Sequence, residues 1–295
     1  MDFKPIPLPV AVPVPSAPMQ TQQNVNVLSS VASDIGEDQG RQLMEQGFTK
    51  GLVNGLSENK KVFPLRIWVV DNSGSMQAPD GHRLISSRSK NLKIVPSTRW
   101  EEIQECVNYH VRMAGLLETE TWFRLLNDPG AGVGPQQFKV ACNDSMESSV
   151  SQVQNANRIM SEAAPGGVTP LTEHINEIYQ VVDSLKDQLA AEGKKVAIIL
   201  ATDGLPTDNQ GINNEYVEQL FVESLRRLEG LPVWVVIRLC TDQDTVVDFY
   251  NNLDEQLELS MDVLDDFCGE AQEVHEHNKW LNYALPIHRL RELGF

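Results

Sequence analysis

The chain has 295 residues, of which 41% are hydrophobic and 22% are charged, a composition typical of soluble globular proteins. Its formal net charge of -17 argues against a nucleic acid or an anionic membrane surface as a partner, because both would repel it. Four widely spaced cysteines without a C-x-x-C pair argue against a zinc or disulfide framework and favour buried thiols in a reducing compartment.

The N-terminal segment, residues 1–36, predicts a disordered tail, because its frequent prolines prevent a helix and favour an extended chain. A docking peptide for a groove in a partner is the alternative. The segment lacks the basic region and the continuous apolar run of a secretory signal, and we find no stretch long enough to span a bilayer. We therefore expect an intracellular protein, cytoplasmic or nuclear.

Residues 37–60 follow the tail and predict one amphipathic helix, since apolar residues recur there at helical spacing. We expect this helix to pack on the main domain, and a free interaction helix is the alternative.

The remainder, residues 61–295, predicts one α/β domain with a doubly wound, mostly parallel sheet flanked by helices. Nearly continuous apolar runs at 62–70, 196–202 and 232–239 are typical of strands covered on both faces. A short loop before a strand at 138–142 favours an antiparallel strand at the sheet edge. Further strands are expected at 121–126 and 257–260, and helices at 99–117, 149–162, 170–191, 213–228, 244–250 and 263–278.

Charge is distributed unevenly along this domain. A basic insertion at 77–99 carries five basic residues against the single acid Asp80, whereas 251–276 carries nine acids and no Lys or Arg. A solvated helix face is the simplest interpretation of the acidic run, and a contact with the basic insertion, within the molecule or between two copies, is the alternative.

Polar side chains close two of the apolar strands. Asp71, Ser73 and Ser75 follow the first strand, Asp203 follows the strand at 196–202, and Thr169 lies in a turn before a helix. Carboxylates and hydroxyls are hard oxygen donors that suit Mg²⁺, Mn²⁺ or Ca²⁺. If Asp71 and Asp203 end adjacent strands, two bare carboxylates about 4 Å apart would repel by roughly 4 kcal/mol at an effective dielectric of about 20. Protonation of one carboxylate or a bound cation would relieve this repulsion, and the three hydroxyls favour the cation.

The pattern D-x-S-x-S, followed by a distant Thr and a distant Asp-Gly, resembles the von Willebrand factor type A (vWA) domain and its metal-ion-dependent adhesion site. The resemblance implies that the strands before Asp71 and Asp203 are neighbours. It also implies that Asp71, Ser73, Ser75, Thr169 and Asp203 hold a divalent cation, Mg²⁺ or else Mn²⁺ or Ca²⁺, whose open position accepts a carboxylate of a partner protein. We therefore expect a scaffold or adaptor that binds proteins through a metal, and not an enzyme.

The basic insertion next to this site fits an acidic protein partner, because it would offset repulsion from a chain of net charge -17. Its candidate partner-binding residues are Arg83, Arg88, Lys90 and Lys93.

A metal-dependent hydrolase or phosphatase that uses Asp71 or Asp203 is the alternative function. The chain has no G-x-S-x-G elbow and no phosphate-binding P-loop, and Ser73 stands where aspartyl phosphotransferases often carry an acid. His174, one turn after Pro170, is close enough in sequence to consider, but a packing role is the simpler interpretation.

Overall fold

The computed structural model describes residues 34–86, 92–143, 145–241 and 243–295, so the predicted tail lies outside them except for residues 34–36. Within these ranges the strands of the main sheet are β1 (Leu65–Val70), β4 (Glu120–Leu125), β5 (Gln137–Val140), β6 (Val196–Thr202), β7 (Val233–Leu239) and β8 (Met261–Leu264). Their order across the sheet is β5-β4-β1-β6-β7-β8. All neighbours are parallel except β4 and β5, which confirms the predicted mostly parallel sheet with one antiparallel edge strand.

Helices cover both faces of the sheet, as the predicted doubly wound fold requires. One face is covered by α3 (Arg99–Leu117) and α4 (Ser149–Glu162), and the other by α5 (Leu171–Ala191), α6 (Glu215–Arg226) and α7 (Asp244–Gln256). Two further helices, α8 (Phe267–His277) and α9 (Leu285–Arg291), follow the last strand. Alternate residues of β1 serve two cores: Ile67 packs with α5, α6 and α7, and Trp68 packs with α3 and α4. Because both faces are covered, every residue of β1 and of β6 is buried.

The segment predicted as one helix at 37–60 instead forms two helices, α1 (Glu37–Glu45) and α2 (Lys50–Val62). Gly47 separates them in the left-handed region, with φ of 96°, and Thr49 caps α2 by accepting a hydrogen bond from the backbone N–H of Leu52. A third apolar cluster packs this pair against α3 and the C-terminal helix: Leu43, Phe48, Leu56, Met113, Leu117, Leu290 and Leu293.

The basic insertion contains a β-hairpin that the sequence analysis did not predict. Its strands β2 (Gly81–Ser86) and β3 (Leu92–Ser97) pair with each other and not with the main sheet. Gly81 packs against the start of α3 so closely that a Cβ there would lie 2.5 Å from the carbonyl oxygen of Thr98. The hairpin is therefore seated on the N-terminal turns of α3.

The C-terminal elements differ most from the predicted ones. The last strand, β8, begins at Met261, whereas the expected strand began at residue 257. In the expected range, the apolar residues Leu257 and Leu259 pack into the core instead of pairing in the sheet. Helix α7 continues beyond residue 250, α8 begins at Phe267 instead of 263, and α9 was not predicted. Within the described parts of the chain, no helix has the length and apolar character that a bilayer crossing requires.

Candidate functional site

The ends of β1 and β6 position the two predicted aspartates. These strands are adjacent and parallel, so the residues that follow them meet at one edge of the sheet. The backbone N–H of Asp71 donates to the carbonyl oxygen of Ala201 at 2.8 Å, which extends the strand pairing by one step. Asp71 and Asp203 are both buried, at 0% and 1% exposure.

A chain of hydrogen bonds joins four of the five predicted metal-site residues. The backbone N–H of Ser73 donates to Oδ1 of Asp71 at 2.8 Å, and the hydroxyls of Ser73 and Ser75 lie 2.9 Å apart. The hydroxyl of Ser75 in turn donates to Oδ1 of Asp203 at 2.8 Å. A single 3-10 turn at Gly74–Gln77 allows the chain to fold back in this way.

The fifth predicted residue, Thr169, lies on a neighbouring loop that backbone hydrogen bonds attach to the first one. The N–H of Gly74 donates to the carbonyl of Gly167 at 3.2 Å, and the N–H of Gly166 donates to the carbonyl of Asn72 at 2.7 Å. Thr169 is buried, and its N–H donates to the hydroxyl of Thr207 at 2.9 Å. Its loop is therefore fixed beside residues 71–75.

Asn127, which the sequence analysis did not single out, connects these loops. Its backbone N–H donates to Oδ1 of Asn72 at 2.8 Å, and its side-chain amide donates to the carbonyl of Val168 at 2.8 Å. Gly167, with φ of 91°, leaves room for this amide, because a Cβ there would lie 2.4 Å from Oδ1 of Asn127. A sequence signal was available, since Asn127 directly follows the strand predicted at 121–126.

A second unpredicted residue, Arg99, places a guanidinium at the edge of the site. Its Nη1 donates to Oδ2 of Asp203 at 2.9 Å, and its Nε and Nη2 each donate to a carboxylate oxygen of Asp80 at 2.6 Å. The side chain is only 4% exposed. Arg99 is one of the five basic residues counted in the insertion, but its place at the site was not predicted.

Burial and Asp203 together raise the pKa of Asp71 to about 6, burial being the larger cause. Hydrogen bonds oppose this shift, including one from the hydroxyl of Thr202 to Oδ2 of Asp71 at 2.7 Å. Among the described residues, the one guanidinium that contacts this pair of buried carboxylates is that of Arg99, at Asp203. An oxygen-only donor set with an incompletely balanced negative charge fits a hard divalent cation.

Of the four candidate partner-binding residues of the insertion, the structure describes two, and these two differ in whether they are paired within the molecule. Arg88 and Lys90 lie outside the described residues. Arg83 is paired within the molecule, with Nε 3.5 Å from Glu105 and Nη1 3.8 Å from Glu101, whereas Lys93 is exposed on β3. Of the two that the structure describes, Lys93 therefore remains the better candidate for contact with a partner.

Two further groups of side chains have the composition of possible metal ligands, and neither was predicted. One joins Cys106, His110 and Glu292 in the interior, and the other joins His82, Glu102 and Asp266 near the surface. Within each group the potential ligand atoms all lie within 4.8 Å of one another.

No protein-family model and no curated protein matches the chain. Among solved structures, the chain is similar to the pilus adhesin SpaC from Lactobacillus rhamnosus GG, with 17% sequence identity and a TM-score of 0.41. The match covers 79% of this chain and 31% of the adhesin's chain, and similarity at this level supports no conclusion about function.

Proposed function

We propose that the chain is an interaction module of the vWA type, which binds a carboxylate of a protein partner through a divalent cation. One observation carries the proposal: the hydrogen-bonded chain that runs from Asp71 through Ser73 and Ser75 to Asp203. It lies at the carboxyl edge of a parallel sheet, between the ends of two neighbouring strands, where open α/β sheets bind their ligands.

In this proposal Mg²⁺ is the first candidate and Mn²⁺ or Ca²⁺ the alternative. Ser73, Ser75 and Thr169 would ligate the ion directly or through water, together with Asp71 and Asp203. The bound ion would supply a coordination position that accepts a partner's Asp or Glu. The chain's own residues prepare the site, since Thr202 orients the carboxylate of Asp71 and Arg99 offsets the charge of Asp203.

The proposed partner is a protein that presents an acidic residue, and the proposed compartment is the cytoplasm or the nucleus. Lys93 on the exposed side of the hairpin would favour such a partner at short range, within the roughly 10 Å that salt leaves unscreened at about 0.1 M. Self-association through the basic insertion and the acidic region is a variant of the same proposal.

A metal-dependent hydrolase is less well supported. A phosphate-binding arginine would need an accessible guanidinium, but both Nε and Nη2 of Arg99 are held by Asp80. We therefore propose a binding role without catalysis.

Calorimetric titration with MgCl₂ and MnCl₂ tests the metal site directly. We expect the wild-type chain to take up the ion and Asp71→Asn to lose that uptake, because the substitution removes an anionic oxygen at the start of the hydrogen-bonded chain. Asp128→Asn is the matched control, since this exposed carboxylate lies one residue after Asn127 but outside the site. Absence of uptake by the wild type would refute the proposal.

Affinity capture from the source cell then tests the binding role. We expect the wild-type chain to retain partner proteins in Mg²⁺ but not in EDTA, and Asp71→Asn to retain none of these proteins in either condition. Metal-dependent turnover of a phosphorylated substrate that Asp71→Asn abolishes would instead establish the hydrolase.

A further inference from the structure

Three side chains from distant parts of the sequence meet where the hairpin of the insertion contacts the C-terminal region. His82 lies on β2, Glu102 lies on α3, and Asp266 immediately precedes α8. Nδ1 of His82 is 3.2 Å from Oδ2 of Asp266, and the backbone N–H of His82 donates to Oε2 of Glu102 at 2.8 Å. Their potential ligand atoms all lie within 4.8 Å of one another.

Each of the two carboxylates is held at the oxygen remote from His82, and the oxygen near His82 in Glu102 also accepts the backbone N–H of His82. Oε1 of Glu102 accepts a hydrogen bond from Arg238 at 2.6 Å, and Oδ1 of Asp266 accepts one from the backbone N–H of Gly269 at 2.7 Å. Oε2 of Glu102 and Oδ2 of Asp266 are the oxygens near His82. Hydrogen bonds that fix the remote atom of a ligand are typical of metal sites, because they orient the ligating atom.

The cluster has both room for an ion and access to solvent. A cavity of about 30 Å³, lined in part by His82, Glu102 and Asp266, has space for an object of the size of a water molecule. A larger cavity of about 510 Å³ adjoins His82 and Asp266, and its other lining residues include Asp244 and Glu273. The imidazole of His82 is 42% exposed, so an ion could enter from this side.

The buried group of Cys106, His110 and Glu292 lies beside the same small cavity but has no exposed member through which an ion could enter. Arg289 and Arg238 both donate to the carboxylate of Glu292, at 2.9 and 3.3 Å, whereas among the described residues Glu102 pairs with one arginine, Arg238. Burial raises the pKa of the Cys106 thiol, which keeps it protonated and a poor ligand. A metal ion is therefore not expected there.

We propose that His82, Glu102 and Asp266 form a second metal site, for a transition-metal ion of the zinc class such as Zn²⁺, Mn²⁺ or Co²⁺. One imidazole nitrogen and two carboxylate oxygens suit these ions better than Mg²⁺ or Ca²⁺, which prefer oxygen ligands alone. Three protein ligands leave a position for water or for a further ligand. The bound ion joins the hairpin to α3 and to the segment before α8, and the site is independent of the one at Asp71.

Titration with Co²⁺ in the presence of saturating Mg²⁺ tests this proposal, because Co²⁺ reports its coordination through visible absorption. We expect the full-length wild type to bind one Co²⁺ with nitrogen and oxygen ligands, and Zn²⁺ to displace it. His82→Ala and Asp266→Asn should each weaken binding by at least about tenfold. Asp266→Asn is the variant less prone to misfold, because asparagine can also cap α8.

Two controls make the result specific. His275→Ala removes an exposed histidine of α8 and should bind Co²⁺ like the wild type, and Asp71→Asn should retain Co²⁺ binding even where it loses Mg²⁺. Addition of Zn²⁺ should also slow hydrogen exchange in β2 of the wild type but not of His82→Ala. Equal Co²⁺ affinity in the wild type and both ligand variants, or no binding by the folded wild type, would overturn the proposal.

Discussion

Arg99 lies between a surface carboxylate, Asp80, and a buried one, Asp203. Its position follows from local structure, because it is the first residue of α3 and Thr98, the preceding residue, caps that helix. Asp80 fixes two nitrogens of the guanidinium and thereby directs the third at Asp203. Within the described residues, Asp203 thus depends on the first residue of α3 for its charge balance, whereas Asp71 is held by hydrogen bonds from Ser73 and Thr202.

Replacement of Arg99 should make the stability of the chain more dependent on a divalent cation. Arg99→Met keeps much of the apolar stem but leaves Asp203 without its partner, which should lower stability by about 3–5 kcal/mol in EDTA. We expect Mg²⁺ to raise the melting temperature of this variant more than that of the wild type. Arg158→Met, which disrupts an exposed pair with Glu162, is the control. An equal Mg²⁺ effect in the wild type and Arg99→Met would contradict this role.

His174 is the packing histidine that the sequence analysis preferred to a functional one. It is fully buried on α5, and its Nε2 must carry the proton because its partner, the carbonyl of Leu126, only accepts, at 3.1 Å. Burial, and then the charge of Arg124, lower the pKa of His174 to about 3. The unfolded chain therefore binds a proton more readily than the folded chain between about pH 6.5 and pH 3.

Above about pH 6.5, His174 is neutral in both the folded and the unfolded chain, and its packing contributes fully to stability. As the pH falls from about 6.5 towards about 3, protonation of His174 in the unfolded chain should progressively lower the free energy of unfolding. Since each tenfold difference in proton affinity is worth about 1.4 kcal/mol, the loss reaches about 3 kcal/mol near pH 4.5. Urea unfolding should show that His174→Leu, although less stable at pH 7, loses less stability than the wild type on going to pH 4.5. Ile175→Val, a buried neighbour without a titratable group, should lose as much as the wild type.

At the scale of elements, the C-terminal helix α9 is fastened by charge as well as by apolar contact. Glu292, just after α9, accepts from His110 of α3 at 2.8 Å, from Arg238 of β7 at 3.3 Å and from Arg289 at 2.9 Å. Burial alone would raise the pKa of Glu292, but Arg289 and the neighbouring histidines lower it well below its usual range. The carboxylate is therefore charged in the folded chain.

Removal of that charge should detach the end of the chain from the sheet. Glu292→Gln leaves Arg238 and Arg289 without their shared partner, and loss of one member of a buried network costs about 3–5 kcal/mol. The exposed pair of Arg158 and Glu162 is the comparison, for which Glu162→Gln should cost less than about 1 kcal/mol. Unfolding in urea measures both, and similar losses in the two variants would show that the buried network does not hold α9.

The elements that were predictable from the sequence are those with a periodic apolar signal. Strands β1, β6 and β7 were expected because buried parallel strands are apolar along their whole length. Helix α9 was not, since its seven residues include three basic side chains and its burial depends on partners distant in sequence, such as Arg238. The break at Gly47 was missed because apolar spacing continues across it.

The part of the candidate site that was predictable is the part attached to the predicted apolar strands. Asp71 and Asp203 follow apolar strands, and the carboxyl ends of neighbouring parallel strands must meet. His82 could not be placed, because it lies on a hairpin whose strands carry only a weak alternating pattern. Arg99 could be placed at the start of α3, but its contact with Asp203 depends on the fold and could not be predicted. That Asp71, Ser73, Ser75, Thr169 and Asp203 bind a cation stays a prediction.

At the scale of the whole molecule, a net charge of -17 opposes folding, because the like charges repel one another in the compact state. A divalent cation should therefore stabilise the folded chain in two ways: by screening this repulsion and by binding at a specific site. A rise in NaCl from about 10 to 300 mM shortens the screening length from about 30 to 6 Å, so it should raise the melting temperature of any variant of this chain. A cation bound at Asp71 raises the free energy of unfolding further, by an amount that depends on its affinity. This increase is about 2.7 kcal/mol at a free-cation concentration of about 100 times Kd.

Melting curves in NaCl and in MgCl₂ at equal ionic strength separate the two effects. We expect NaCl to stabilise the wild type and Asp71→Asn by the same amount, and MgCl₂ to give a further increase only in the wild type. In EDTA, Asp71→Asn should also have a higher melting temperature than the wild type, because it removes the repulsion between Asp71 and Asp203. This repulsion and the burial of Asp71, the larger cause, raise the pKa of Asp71 to about 6. A gain from MgCl₂ that is equal in both chains would mean that the ion acts only on the general charge, and that the carboxylates at the ends of β1 and β6 are not its ligands.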